Sequence, residues 1–337
     1  MTAHIAVPAL APPDLPATLS PAVLTDLLRK ELDFKGLVIT DALDMGGIAQ
    51  GFGAGDAAVR ALEAGADTLL MPSDPDAAIR AVVSAVESGR ISRQRLQESV
   101  VRILSAKEKV GLDRKRFADL EGMSDVVDDP EANLKAQEIA NRAVTLVRNA
   151  GNLVPLAAPE RSCYVVISEG RYSTGGQTFA QEVRKRAPHA PIATLDPTMS
   201  RQDLDDGVNA LRACETYAVA AFASVSANRG TVGLAGDLPH VIETLSATGK
   251  PVAMVALGNP YLLRNFPNVA GYLATYSTVP PSEIAAVKAL WGEIAITGHL
   301  PVSIPGQAKY GEGIQVQPTR PGSRSGASQQ ARYNLHP

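Results

Sequence analysis

The sequence predicts an α/β protein, because short apolar segments alternate with amphipathic helical segments along most of its 337 residues. Residues 37–41 are typical of these apolar segments: Val38 and Ile39 lie at the centre with no polar alternation, as in a strand buried on both faces of a parallel sheet. Two glycines, Gly46 and Gly47, follow the segment and predict that it ends in a loop. We therefore expect parallel strands flanked by helices.

The first 110 residues have the alternation of a (β/α) barrel. Three strands are predicted, at residues 1–5, 37–41 and 67–71, whereas a closed barrel of this type has eight. A leucine stripe after Ser20-Pro21 predicts a helix that ends near Asp33, with Ser20 as its N-cap. Further helices are predicted at residues 57–64, 74–88 and 92–110, the last with Ser92 as its N-cap. We expect residues 1–110 to be the C-terminal part of a (β/α)8 barrel.

The remaining residues predict a second domain. Residues 111–130 are charged and contain Gly, Pro and several Asp, as in an inter-domain linker. Residues 131–306 begin with a helix at 131–143 and then alternate strands with helices, which predicts a doubly wound α/β layer sandwich. The strands are predicted at 163–168, 217–224, 252–257 and, more weakly, 271–276, and the helices at 176–187, 203–213, 239–248 and 282–291. Residues 307–337 are rich in Gly, Ser, Pro, Gln and Arg and are predicted to be a mobile tail.

Composition excludes several classes of function. A net charge of −3 and a sequence pI near 6.0 provide no basic field for nucleic acid. Cys163 and Cys214 are 51 residues apart without a zinc-ligand or disulfide-framework spacing, so we expect two buried thiols. The five histidines show no metal-binding spacing, and no metal or cofactor is predicted. With no membrane-spanning run and no signal segment, the chain as written is expected to be cytoplasmic.

Asp41 is the last residue of the buried strand 37–41, at the end where α/β folds place their chemistry. From this position alone it is either a reactive carboxylate or a cap of the next helix. The stretch Gly36-Leu-Val-Ile-Thr-Asp41-Ala-Leu-Asp44-Met45-Gly-Gly-Ile48 resembles the nucleophile segment of glycoside hydrolase family 3, whose pattern is GLV(I/V)(T/S)DxxxM.

Other segments carry the same resemblance, which covers about residues 1 to 306. Residues 65–72 are similar to the family element GADxxLMP, and residues 298–305 to the ending GxLPVSIP. Residues 144–156 are similar to the segment that leads into the second domain in this family. The first residues resemble an interior barrel strand of the form VMTAHI, so we expect a chain truncated at its N-terminus.

The resemblance implies a retaining glycoside hydrolase that removes terminal β-linked N-acetylglucosamine, or glucose, through a covalent glycosyl-Asp41 intermediate. Peptidoglycan- or chitin-derived amino sugars are the implied substrates. The motif KHFPGHG, near which the N-acetylglucosaminidase branch carries its acid/base His, does not occur here. Glu169, in the loop SEGRYSTGG, is a candidate acid/base by analogy with the β-glucosidase branch, and the alternative is a solvated loop Glu.

Three further residues are candidates for substrate binding. His4 lies on the face that should display Asp41, either facing substrate or supporting the residues that do, and the alternative is a hydrogen-bonded core histidine. Met45 follows the nucleophile in the family pattern and is expected to pack under the sugar. Asp44 is either a substrate contact or a helix cap.

A second function class remains open. The chain is either an enzyme or a non-catalytic product: a truncated chain, or half of a split enzyme that acts as a sugar-binding or assembly module. A split enzyme predicts a partner chain that supplies the missing barrel strands, because an open barrel exposes unpaired strand edges.

Overall fold

The computed structural model describes residues 1–123, 127, 129–224 and 233–320. The chain divides into two compact units, Met1–Met123 (unit 1) and Ser124–Pro337 (unit 2). Both units contain parallel strands connected through helices, so the α/β fold class is as predicted. None of the helices in the described part of the chain is long and apolar enough to cross a membrane.

Unit 1 is built on a short parallel sheet of two strands, β1 (Ile39–Ala42) and β2 (Thr68–Leu70). Its small apolar core places Leu24, Val38 and Ile48 against an alanine-rich helix face. The helices of unit 1 are a 3₁₀ turn at Ala17–Leu19, a π-helix at Ala22–Glu31, α1 (Gly46–Ala49), α2 (Ala54–Ala64), α3 (Pro75–Glu87) and α4 (Arg93–Lys109).

Local sequence signals account for where these helices begin and end. Gly65 ends α2 with a φ of 125°, which a residue with a side chain rarely adopts. The Asp74 carboxylate accepts a hydrogen bond from the Ala77 N–H at the start of α3, and the Ser92 hydroxyl accepts one from Arg95 at the start of α4. The prediction of Ser92 as an N-cap is confirmed.

Two predictions for unit 1 are wrong. Residues 1–5 form no strand. Only one backbone hydrogen bond, from the Thr2 N–H to the Ile39 carbonyl oxygen (2.9 Å), joins them to β1, where a ladder of hydrogen bonds was expected. Ser20 does not cap the following helix: Pro21 takes the N-cap position, and the Ser20 hydroxyl is buried without a hydrogen-bond partner in the described part of the chain.

Unit 2 contains a mixed sheet of six described strands in the order β3-β8-β7-β6-β4-β5. The strand β3 at one edge is antiparallel to β8, and the other pairs are parallel. The strands are β3 (Thr145–Asn149), β4 (Cys163–Ile167), β5 (Ile192–Leu195), β6 (Tyr217–Ala223), β7 (Val252–Gly258) and β8 (Gly271–Ala274). One large apolar cluster covers each face of this sheet.

The helices of unit 2 agree with the predicted ones to within a few residues. They are α5 (Pro130–Ala143), α6 (Gln177–Arg186), α7 (Arg201–Asn209), α8 (Leu238–Ala247) and α9 (Pro280–Leu290), with 3₁₀ turns at Ala150–Asn152, Pro159–Arg161 and Pro260–Arg264. The strands β3 and β5 were not predicted. Both lie at edges of the sheet.

Two other features of unit 2 differ from the sequence-based expectation. Cys163 and Cys214, predicted as free thiols, form a disulfide with a Cα–Cα distance of 5.8 Å. Residues 307–320 were predicted to begin a mobile tail, but they hydrogen-bond to the body of the unit. The Ile314 N–H donates to the Leu146 carbonyl oxygen (2.7 Å), and the Val316 N–H donates to the Ile296 carbonyl oxygen (3.1 Å). The remainder of the predicted tail, residues 321–337, lies outside the described residues.

Candidate active site

Asp41 occupies the carboxyl end of β1, where its side chain is partly exposed. Its Oδ1 accepts a hydrogen bond from the Ala42 N–H at 2.8 Å. The next helix, α1, has Met45 at its N-cap position, so Asp41 does not cap that helix. Within β1, the buried Thr40 hydroxyl accepts from the Leu70 N–H at 2.9 Å and ties this strand to β2. The carboxylate is therefore presented at the edge of a sheet whose strands are fixed behind it.

His4 lies beside this strand end, and both of its ring nitrogens are hydrogen-bonded. Nε2 is 2.8 Å from the Ala42 carbonyl oxygen, and Nδ1 is 3.0 Å from the Thr18 Oγ1. A carbonyl oxygen only accepts, so Nε2 carries the proton of the hydrogen bond to Ala42. The ring thus holds the backbone next to Asp41.

Thr18 was not identified from the sequence. It is fully buried, and its Oγ1 lies 2.8 Å from the Thr2 Oγ1 and 3.1 Å from the Ala3 carbonyl oxygen. The residue therefore fixes the His4 ring and the chain around it. Thr18 lies in a proline-rich loop, and no local pattern in the sequence distinguishes it from the neighbouring polar residues.

Asp44 and Met45 extend from the strand end into the loop before α1. Both are exposed, Met45 at 40%. The Asp44 N–H donates to the Met71 carbonyl oxygen at 3.1 Å, and no hydrogen bond of its side chain is found in the described part of the chain. Since Met45 takes the N-cap position, the helix-cap alternative for Asp44 is wrong. Both side chains are open to a ligand.

Two backbone features shape the same loop. A Cβ on Gly47 would lie 3.2 Å from the His4 Cβ, so glycine permits the close approach of these two segments. Met71, directly after β2, has a φ of 43°, which is an uncommon conformation for a residue with a long side chain. Such strained residues concentrate at functional sites, and Met71 is a further candidate that the sequence did not reveal.

Glu169 belongs to unit 2, where it follows β4 at the carboxyl edge of the six-stranded sheet. One carboxylate oxygen accepts hydrogen bonds from the Ser224 N–H and hydroxyl, both at 2.7 Å. The side chain is half-buried. The carboxylate is therefore held between the ends of β4 and β6 while it keeps partial contact with solvent.

In the described ranges no group of three or more His, Cys, Asp or Glu side chains is arranged to hold a metal ion. A partly exposed carboxylate such as that of Asp41 can act chemically as a nucleophile or as a base. The carboxyl group of Glu169, in unit 2, can act as an acid or as a base.

Comparison with known proteins identifies the family. The family model described as Glycosyl hydrolase family 3 N terminal domain matches residues 1–106, and the model of the C-terminal domain matches residues 144–334. A protein of Cellulomonas fimi named β-N-acetylglucosaminidase/β-glucosidase is 27% identical over 305 residues, which cover 86% of this chain and 53% of that protein.

Two further relatives agree. β-Hexosaminidase A of Pseudoalteromonas piscicida is 26% identical over 356 residues, covering 90% of this chain and 57% of that protein. The solved structure of a glycoside hydrolase family 3 β-N-acetylglucosaminidase from Paenibacillus sp. str. FPU-7 is 29% identical, with a TM-score of 0.73 over 88% of this chain and 57% of that one. The chain spans about half the length of these relatives. With family models matched in both units, it belongs to glycoside hydrolase family 3.

Proposed function

We propose that this chain carries the nucleophile half of a retaining β-glycosidase, with Asp41 as the nucleophile. The observation that carries the proposal is the position of Asp41: a partly exposed carboxylate at the carboxyl end of β1, next to a backbone carbonyl that His4 holds. We interpret β1 and β2 as parallel strands of an incomplete (β/α)8 barrel, in which catalytic groups lie at this end.

The reaction has two displacements. An Asp41 oxygen forms a bond to the anomeric carbon while the bond to the leaving oxygen breaks, and that oxygen takes a proton from a general acid. Water then attacks the same carbon, gives a proton to the base and releases Asp41. Two inversions keep the β configuration. His4 acts as a positioning residue, because its hydrogen bond to the Ala42 carbonyl fixes the peptide that follows the nucleophile.

The substrate class follows from the relatives. Their names include β-N-acetylglucosaminidase, β-glucosidase and hexosaminidase, so we propose terminal β-linked N-acetylglucosamine or glucose. Amino sugars derived from peptidoglycan or chitin fit this class. Asp44 and Met45 are proposed to contact the sugar, because both are exposed in the loop that follows the nucleophile.

Glu169 is proposed as the acid/base. The support is its hydrogen bonds with Ser224, which hold a half-buried carboxyl at the carboxyl edge of the sheet in unit 2. A general acid in this role contributes about 10²- to 10⁴-fold to the rate for a substrate with a poor leaving group.

The test is hydrolysis of 4-nitrophenyl β-N-acetylglucosaminide and β-glucoside by the 337-residue chain. We expect Asp41→Ala to lower kcat/KM by on the order of 10⁴-fold. Asp76→Asn, which changes an exposed carboxylate in the first turn of α3, is the control and should have a far smaller effect. A 2-deoxy-2-fluoro glycoside should label Asp41, as found by mass spectrometry. Glu169→Gln should lose activity on alkyl glycosides but keep it on 2,4-dinitrophenyl glycosides, which need no acid.

A second candidate function is a non-catalytic or split-enzyme module. It is favoured by the many exposed apolar side chains of unit 1, including Val100, Val101 and Leu104 on α4. A partner chain would then supply the missing strands. A folded chain that neither turns over glycosides nor labels at Asp41, yet gains both properties on addition of the N-terminal half of a family relative, would support this alternative.

A further inference from the structure

The parallel part of the sheet in unit 2 has a topological switch point. From β4 the chain continues to β5 on one side, and the following strand β6 lies on the other side of β4. In open α/β sheets of this kind, ligands bind in the crevice outside the carboxyl ends of the strands, near the switch. The switch lies between β4 and β6, and the carboxyl ends of β6 and β7 lie beside it at the same edge of the sheet.

A cavity of about 1140 Å³ opens there. It begins at Ala223 and Gly258, the last residues of β6 and β7, and extends to residues 276–278 beyond β8. Gly258 has a φ of 98°, and a Cβ at this position would collide with the Ala223 carbonyl oxygen. The close approach of the two strand ends thus requires glycine. Small-molecule sites are commonly about 300–1,000 Å³, so the cavity can hold a ligand of more than one ring.

Tyr276 in the wall of this cavity has an unusual backbone conformation. Its φ is 60°, a left-handed conformation that a bulky residue rarely adopts. Strained residues of this kind concentrate at ligand sites. The conformation therefore favours a functional role for this wall.

The lining indicates the chemistry of the ligand. Tyr261 presents an exposed aromatic ring, 39% accessible, and Ser277 and Thr278 supply two hydroxyls. The amide of Asn259 also lies in the wall, where its Oδ1 accepts from the Tyr261 N–H at 2.9 Å. Among the lining residues that the structure describes, the charged ones are Arg264 and Glu243, which are opposite in sign. An aromatic ring among neutral hydrogen-bonding groups suits a neutral polyhydroxy ligand better than an anion.

A phosphate ligand is also disfavoured at the start of α6. The Glu283 carboxylate accepts from the Phe179 N–H at 2.6 Å, in the first turn of α6. The protein therefore supplies its own anion at this positive helix end, where a phosphate would otherwise bind.

We propose that this cavity of unit 2 is a carbohydrate-binding site. The Tyr261 ring contacts the apolar face of a sugar, while Asn259, Ser277 and Thr278 bind its hydroxyls. The choice of carbohydrate among neutral ligands rests on the proposed function, but binding here does not require Asp41. Such a site would hold the chain on an oligosaccharide or polysaccharide.

The experiment is a titration of the isotope-labelled 337-residue chain with N,N′-diacetylchitobiose and with cellobiose, followed by amide NMR spectra. We expect one of these sugars to shift the amide resonances of Gly258, Asn259 and Tyr261 and of residues 276–278. The Asp41→Asn chain should show the same shifts with unchanged affinity. Tyr261→Ala should weaken binding by about tenfold or more, which corresponds to about 1.4 kcal/mol. Tyr310→Ala, which removes an exposed tyrosine outside the cavity, should not.

Cavity resonances that do not move with either sugar, or an unchanged affinity in a folded Tyr261→Ala chain, would overturn the inference. The spectrum of each variant reports directly whether it is folded. Failure of the proposed function has a different signature, because it would appear as absent turnover and absent Asp41 labelling while the cavity titration is unaffected.

Discussion

Asp67 organises the end of unit 1 opposite the candidate nucleophile. It precedes β2, at the amino edge of the sheet, and its side chain is fully buried. One carboxylate oxygen accepts from the Arg29 guanidinium (2.6 Å) and from the Val38 N–H (2.9 Å). The other accepts from the Ser99 hydroxyl (2.7 Å) and from Arg102 (3.0 Å). A single carboxylate therefore joins the π-helix, β1 and α4.

The pKa of Asp67 reflects these contacts. Burial alone would raise it, but the hydrogen bonds from Val38, Ser99 and Arg102 and the charge of Arg29 together outweigh burial, so the pKa lies below its ordinary value. A carboxyl whose pKa is lower in the folded state stabilises the fold above its unfolded pKa, about 3.9. This stabilisation is lost as the pH falls through the folded pKa.

We predict that Asp67→Asn lowers the free energy of unfolding at pH 7 by about 3–5 kcal/mol, because arginines remain buried without their partner. The stability difference between wild type and variant should shrink as the pH falls from 5 towards 2. Urea unfolding at several pH values measures both effects.

Asp56→Asn is the matched control for this prediction. Asp56 also pairs with an arginine, Arg60, at 2.7 Å, but both side chains are 41% exposed. Exposed pairs contribute about 0–1 kcal/mol, so the control should change stability little and with little dependence on pH. Equal losses in the two variants would contradict the role assigned to burial.

The position of Asp41 could be predicted because its signal is local: an apolar strand that runs directly into a carboxylate. The contacts of His4 could not, since Ala42 and Thr18 are brought to its ring by the fold from 38 and 14 residues away. The same applies to Glu169, whose partner Ser224 lies 55 residues further along the chain. Residue types identify candidate site residues, but the topology of the fold decides which hydrogen-bond partners those residues meet.

At the scale of elements, the strands that are most completely buried are those that the sequence predicts most accurately. The central strands β6 and β7 are buried along almost their whole length and were predicted almost to the residue. The edge strand β5 has one buried residue in four and therefore no continuous apolar run. Residues 1–5 contain a strand-like pattern, but only one backbone hydrogen bond joins them to β1. A sequence pattern predicts a strand, but the strand forms only where a neighbouring strand pairs with it.

The disulfide links two elements of the same sheet. Cys163 begins β4, and Cys214 lies shortly before β6, to which β4 is directly paired. The bond closes a loop of 51 residues that contains β5 and α7. Spacing alone could not predict it, because the two cysteines meet only through the pairing of the central strands.

We predict that the disulfide stabilises unit 2 by about 4 kcal/mol, the loop-closure value for a loop of this length. Thermal unfolding of the oxidised chain with and without a phosphine reductant measures the difference. The Cys163→Ala/Cys214→Ala double variant is the control and should not respond to the reductant. Two titratable thiols in the denatured chain after treatment with oxidised glutathione would contradict the bond.

At the scale of the whole molecule, the two units differ in how completely they bury their apolar residues. Unit 2 has a large cluster on each face of a six-stranded sheet. Unit 1 has a two-stranded sheet with two small clusters. It also carries most of the exposed large apolar side chains in the described part of the chain, among them Ile79, Leu104 and Phe117 at 63%, 57% and 86% exposure. Small two-stranded sheets are marginally stable by themselves.

We predict that residues 129–337 alone unfold in one cooperative transition, because their core is complete within that segment. Residues 1–123 alone should self-associate and bind a hydrophobic dye, because their exposed apolar surface exceeds what a monomer normally tolerates. Circular dichroism on heating, dye fluorescence and analytical ultracentrifugation of the two segments measure these properties. A monomeric, dye-free and cooperative 1–123 would show that unit 1 needs no further strands, which would remove the main structural support for a partner chain. Aggregation relieved by the N-terminal half of a family relative would instead identify the missing strands as the natural cover of this surface.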